Sequence, residues 1–240
     1  MIRFLLALLL AMPCWAQKVV TIGTGYVLPP YVIPETASGY ELDIVRAAFQ
    51  ARGIDVKFSF LPPARALYSA KIKALDAVTT VNENSGATGY WSESHISYQN
   101  YAITLKSRQF NIQHVEDLAG HTVSAFQNAR ISLGPQYALA INLATYQEYP
   151  DQLTQNKLLY SQRTDVVIAD RLIFEYLNPQ IADKFDTKQP LSFHAIFPPT
   201  EYKVLFNDAK LRDQFNQGLA QIKANGTYRR IKERYLPNDK

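Results

Sequence analysis

One short pattern occurs twice along this chain and most limits what it can fold into. Asp76-Ala77-Val78-Thr79-Thr80-Val81 and Asp165-Val166-Val167-Ile168-Ala169-Asp170 each set an acid directly before a short apolar run. Runs of this kind are buried-strand candidates. Each closes in polar residues, at the strand ends where open α/β sheets gather their binding loops. Two such strands predict two similar lobes, with a ligand held between them.

The N-terminus predicts export. Arg3 precedes an apolar run from Phe4 to Met12, and Cys14-Trp15-Ala16 supplies the cleavage positions. Residues 1–16 therefore read as a secretory signal peptide cut after Ala16, too short for a stable membrane anchor. A lipid anchor on Cys14 is the alternative, and Pro13 before the cysteine argues against it. Cleavage would remove Met1, Met12, Cys14 and Trp15, leaving neither cysteine nor methionine and Trp91 as the only tryptophan. A disulfide framework and a thiol nucleophile are both excluded in such a chain. The expected location is the periplasm. The net charge of +4 is scattered rather than clustered, which disfavours a nucleic-acid partner.

Strands alternate with helices along the remainder. Lys18 to Gly23 reads as a strand, Gly25 to Tyr31 as an aromatic, proline-stiffened loop, and Gly39 to Arg52 as a helix stopped by Gly53. Val56 to Leu61 alternates as a strand, Ala64 to Ala74 is helical, and the strand from Asp76 follows. Tyr101 to Leu105 leaves the first lobe. A second series begins near Val115, with a strand from Thr122 to Phe126, helical stretches at Gln136 to Asn142 and Asp151 to Tyr160, a buried strand at Asp165 to Ala169, and a helix from Arg171 to Leu177. Phe193 to Phe197 carries the chain back, Tyr202 to Phe206 returns as a strand, and an amphipathic tail from Leu211 to Tyr235 breaks at Gly226. The alternation predicts an α/β architecture with a largely parallel sheet.

Several short segments, taken in order, resemble a known family: Pro29-Pro30-Tyr31, Gly39-Tyr40-Glu41-Leu42-Asp43, Leu75-Asp76-Ala77, Trp91-Ser92, Asp117-Leu118-Ala119-Gly120, Asp165 to Asp170, and Ala224-Asn225-Gly226-Thr227-Tyr228. From about Val19 to Tyr235 the chain resembles the extracytoplasmic solute-binding proteins of the amino-acid type, which serve ABC importers. The resemblance implies a two-lobed, type II periplasmic-binding fold with two crossing hinge strands. Lobe 1 is expected over 17–102 and 197–240, and lobe 2 over 103–196. It further implies a monomer that closes on a small-molecule ligand and hands it to a membrane ABC permease, with no cofactor or metal.

The resemblance also implies site residues. An arginine near the Trp91-Ser92 motif would clamp a ligand carboxylate, but no Lys or Arg occurs between Lys73 and Lys106. Asn128-Ala129-Arg130 stands where the family has a Gly-Thr-Thr-like turn. Arg130, or Arg65 after Pro62-Pro63, is the candidate replacement; a surface role serves either equally. Asp170 matches the acid that pairs with a ligand ammonium, and it also suits an N-cap for the helix from Arg171. Tyr26 and Tyr31 offer rings for stacking. Glu41, early on the first helix, is a cleft candidate. Thr80, Asn82, Ser85 and Asn128 could hydrogen-bond a ligand or serve as ordinary turn residues.

Two other functions share this scaffold. Proteins resembling the family include dehydratases acting on prephenate-like substrates, for which Glu41 or Asp170 would have to supply the acid. A ligand-presenting sensor module is the other. His95, His114, His121 and His194 lack metal-ligand spacing and read as surface or locally bonded side chains.

Overall fold

A computed structural model describes residues 19–25 and 28–235. The expected signal peptide and Tyr26 lie outside the described residues.

Two sheets divide the chain. The first uses β1 (Val19–Thr24), β2 (Asp55–Phe60), β3 (Ala77–Val81), β4 (Tyr90–Trp91), β5 (Ile96–Tyr98) and β11 (Thr200–Phe206). Its order is β2-β1-β3-β11-β4, with β5 also paired to β11. The second uses β6 (Asn100–Leu105), β7 (Thr122–Phe126), β8 (Thr145–Tyr149), β9 (Val166–Asp170) and β10 (Leu191–His194), in the order β10-β6-β9-β7-β8. In each sheet three strands run parallel, and the strand arriving from the other lobe lies antiparallel beside the third. The two lobes thus share one topology.

The duplicated acid explains part of that likeness. Asp76 accepts from the Thr21 N–H and hydroxyl, both at 2.7 Å, tying the entry of β3 to β1. Asp165 accepts from the Thr122 N–H at 3.0 Å and hydroxyl at 2.8 Å, tying the entry of β9 to β7. Each carboxylate ties the start of one interior strand to its parallel neighbour, fixing the register of the pair.

Helices cover both faces of the first sheet. On one lie α1 (Tyr40–Gln50), α7 (Ala209–Ala224) and α8 (Thr227–Tyr235), whose Leu42, Phe49, Phe215 and Leu219 join Val20, Ile22 and Phe206 in the largest buried cluster. On the other lies α2 (Pro63–Lys71), with Ala66 and Ala70 against Val78 and Leu205. Gly218 is required where α7 crosses α1, because a Cβ there would stand 1.9 Å from the Ala48 carbonyl oxygen. Gly39, at φ +127°, opens α1 under the Tyr31 carbonyl, again where no side chain fits.

In the second lobe α3 (Ala129–Ser132) and α4 (Pro135–Ala140) pack on one face, and α5 (Gln152–Tyr160) and α6 (Arg171–Leu177) on the other. The chain crosses from β5 to β6 through a single residue, Gln99, and returns between His194 and Thr200. The Gln99 amide donates to the Phe197 carbonyl at 2.6 Å, joining the two crossing segments. The buried cluster of the first lobe also takes in Ile173 and Leu177 of α6, so the lobes share apolar contact. No helix among the described residues is long and apolar enough to cross a membrane.

Candidate functional site

Asp170 ends β9 and begins α6, which places its carboxylate at the polar edge of the second sheet. One oxygen caps α6, accepting from the N–H groups of Leu172 at 2.9 Å and Ile173 at 3.1 Å. The other reaches the first lobe and the crossing, accepting from the Tyr31 hydroxyl and the Gln99 N–H, both at 3.1 Å. Cap and inter-lobe contact are therefore one side chain. Burial pushes this carboxyl up to about 6, against the lowering effect of its four donors. Burial first, and then the nearby Asp170 charge, hold the Tyr31 hydroxyl protonated far above its ordinary range, so it is a donor.

A cavity of about 370 Å³ opens beside this pair between the lobes. Lobe 1 contributes Tyr31, Tyr40 and, from α8, Tyr228, Lys232 and Tyr235. Asp170, Arg171, Glu175 and Tyr176 face them from lobe 2, and Ser97, Gln99 and Tyr101 form the crossing wall. Tyr31 stacks on Tyr98 with ring centroids 3.9 Å apart, and Tyr40 lies between the rings of Tyr31, Tyr228 and Tyr235. A second cavity, about 380 Å³, lies by the returning segment and is lined by Asn82, Glu83, Ser132–Gly134 and residues 197–201.

Glu41 sits inside lobe 1 rather than on either cavity. Its fully buried carboxylate accepts from the Thr79 hydroxyl at 2.6 Å, the Thr80 N–H and hydroxyl at 2.8 and 3.0 Å, the Tyr98 hydroxyl at 2.8 Å and His95 Nε2 at 3.0 Å. Burial alone would raise this group. The bonds from His95, Thr79 and Tyr98 outweigh it and hold Glu41 below the usual carboxylate range. His95 Nδ1 is buried with no partner among the described residues, which assigns the ring proton to Nε2. His95 corrects the expectation of a surface or locally bonded histidine: it is buried and bonded to an acid 54 positions away. Thr80, a β-branched residue at φ +61°, is held in that costly conformation by its two bonds to Glu41.

The remaining expected residues fall elsewhere. Asn128 and Arg130 open α3, but their N–H groups donate to the Glu148 carboxylate at 2.7 and 2.9 Å. Those bonds and the Tyr146 hydroxyl at 2.7 Å overcome burial and hold Glu148 below the usual carboxylate range. The Arg130 guanidinium bonds Asn142 at 3.1 Å and lies over the Tyr146 ring. Arg65 is exposed on α2, and Ser85 is exposed with its hydroxyl accepting from the Ala87 N–H. The structure thus brings Tyr31 to Asp170, and Glu41 to Thr80, in two clusters joined by the stacked rings of Tyr31 and Tyr98. Tyr98, Gln99, Glu148 and the tyrosines of α8 were not legible: their partners lie far away in sequence, and no local spacing marks them.

Two α/β lobes joined by two crossing segments, with a cavity between them, define a two-lobed fold of the type II periplasmic-binding kind. The chain belongs to the bacterial extracellular solute-binding proteins, family 3, whose family model matches residues 20–238. The fold is that of solved structures of this type. An ancestral arginine-binding protein bound to arginine superposes at TM-score 0.70 and 18% identity, covering 92% of this chain and 99% of that one. The GluR0 ligand-binding core with L-glutamate gives 0.72 at 17%, covering 92% and 99%. A Streptococcus pneumoniae ABC uptake transporter substrate-binding protein with bound histidine gives 0.69 at 18%, covering 92% and 94%. Among curated proteins, Membrane-bound lytic murein transglycosylase F of Desulfosudis oleivorans is 25% identical over 218 residues, 85% of this chain. The chain spans 45% of that relative's length.

Proposed function

We propose that the chain is a periplasmic, monomeric, non-enzymatic binding protein. It captures a small polar solute between its lobes and delivers it to a membrane ABC importer after removal of residues 1–16. The observation that carries this reading is Asp170, a buried carboxylate bridging both lobes beside a cavity of about 370 Å³. That volume lies within the range of small-molecule sites, about 300–1,000 Å³. Tyr31 and Asp170 are the ligand contacts of this reading, with Gln99 coupling the site to the crossing. Thermal unfolding of the mature protein against amino acids, amines, short peptides and carboxylates tests it. A true ligand at ~100 times its Kd adds about 2.7 kcal/mol of stability; a panel without any shift contradicts it.

The match to part of a lytic murein transglycosylase favours a second reading, a module that recognises cell-wall fragments. Murein fragments in the same panel separate the two: stabilisation by fragments alone supports the module.

A further inference from the structure

The chain crosses from lobe 1 to lobe 2 at Gln99, directly after the short strand β5. One side chain of lobe 1 holds both ends of that strand. The Glu41 carboxylate accepts from His95 Nε2 at 3.0 Å, just before β5, and from the hydroxyl of Tyr98, its last residue, at 2.8 Å. The Thr79 hydroxyl and the Thr80 N–H anchor the same carboxylate to β3. In addition, the Glu41 N–H donates to the Tyr31 carbonyl at 3.1 Å. Glu41 and His95 are buried, so water does not stand in for these bonds.

Tyr98 carries that hold to the inter-lobe contact by two routes. Its ring stacks on Tyr31 with centroids 3.9 Å apart, and the Tyr31 hydroxyl reaches Asp170. Its chain neighbour is Gln99, whose N–H donates to the same Asp170 oxygen. Both donors to the oxygen that bridges the lobes therefore follow from where Tyr98 stands. Tyr202, on the returning strand β11, also packs on Tyr98, with centroids 4.6 Å apart. Both crossing segments thus bear on one ring. The Glu41 carboxylate itself bonds neither Tyr31 nor Asp170 among the described residues, so its influence on them passes through Tyr98.

We infer that Glu41 is a positioning residue of the hinge: by holding β5 at both ends it fixes Tyr98, and through Tyr98 it seats Tyr31 and Gln99 on Asp170. This role belongs to the joint between the lobes and does not depend on which solute binds there. Double-mutant cycles in urea unfolding of the mature protein test it. Tyr31→Phe keeps the ring stack and deletes only the hydroxyl that reaches Asp170. Tyr98→Phe likewise keeps the stack and deletes only the bond to Glu41. A hydrogen bond to a charged partner is worth about tenfold or more in the folding equilibrium, so Tyr31→Phe should cost about that much in the wild-type background. After Tyr98→Phe or Glu41→Gln the hydroxyl is no longer seated, and the same change should cost about threefold or less.

An equal loss in every background overturns the inference, as does a Tyr31→Phe substitution without cost in the wild type. Should Glu41→Gln fail to fold, the Tyr98→Phe cycle decides alone. The carboxyl carbon resonance of Asp170, identified by its absence in Asp170→Asn, gives a reading that a merely stabilising role would not move. Its titration midpoint should shift upward in Tyr98→Phe, because a donor that favours the ionised form withdraws. An unmoved midpoint also overturns the inference.

Discussion

Asp170 serves α6 with one oxygen and the opposite lobe with the other, so its ionisation bears on folding and on the proposed binding in opposite senses. The groups facing it are Tyr31 from the first lobe, Arg171 and Glu175 on its own helix, and Lys232 from α8. Its folded value of about 6 lies above the unfolded value of about 3.9. The stability this difference contributes is complete below about 3.9 and is lost as pH rises through about 6. If the solute of the proposed function pairs an ammonium with Asp170, it needs the ionised form, so its affinity should hold above pH 6 and fall about tenfold per unit well below it. Calorimetry from pH 5 to 8 checks this, and a flat affinity contradicts it. Glu41 has the reverse sign: its lowered value makes its contribution present above the ordinary carboxylate range and lost on acidification. Glu41→Ala would strand His95, Thr79 and Tyr98. The expected cost is about 3–5 kcal/mol in urea unfolding; a loss below about 1 kcal/mol would mean the network is not a stabilising unit.

At the scale of elements, the duplicated acid-and-strand pattern made β3 and β9 legible, and the Asp76–Thr21 and Asp165–Thr122 braces give its physical reason. The strand β8 was missed. Thr145–Tyr149 is a polar edge strand with no buried residue, so no apolar run marks it. Its counterpart β2 was read because Val56, Phe58 and Phe60 alternate. The shared topology would have supplied β8, since a second lobe built like the first needs a strand beside β7. The short β4 and β5 escaped for a related reason: two or three residues are too few to show a period. Of the cluster between the lobes, the sequence singles out Asp170 and Tyr31 by their places at a strand end and on a loop, but not the bond that joins them. Glu148 was not legible, because its role depends on β8 pairing with β7 at Phe126↔Tyr149. The crossing of α1 and α7 yields a prediction of its own. Gly218→Ala sets a methyl against the Ala48 carbonyl and should cost about 1–3 kcal/mol. Chemical denaturation measures it, and an unchanged midpoint would refute the close approach.

Across the whole molecule, two lobes of one topology meet at a shared apolar contact, two crossing segments and one buried acid. Only Gln99 separates β5 from β6, so a hinge rotation between the lobes would fall on very few residues. Opening would break the bond from Tyr31 to Asp170 and expose the tyrosine wall, and closure on a solute would bury both. A ligand bound between lobes therefore stabilises the closed form, and its loss of affinity should follow Asp170 more than any residue on one lobe's surface. The most direct measurement is calorimetric titration of the best solute from the thermal panel into the wild type and Asp170→Asn. Saturable one-to-one binding that weakens at least about tenfold in the variant is expected. Equal affinity in the two proteins would contradict it.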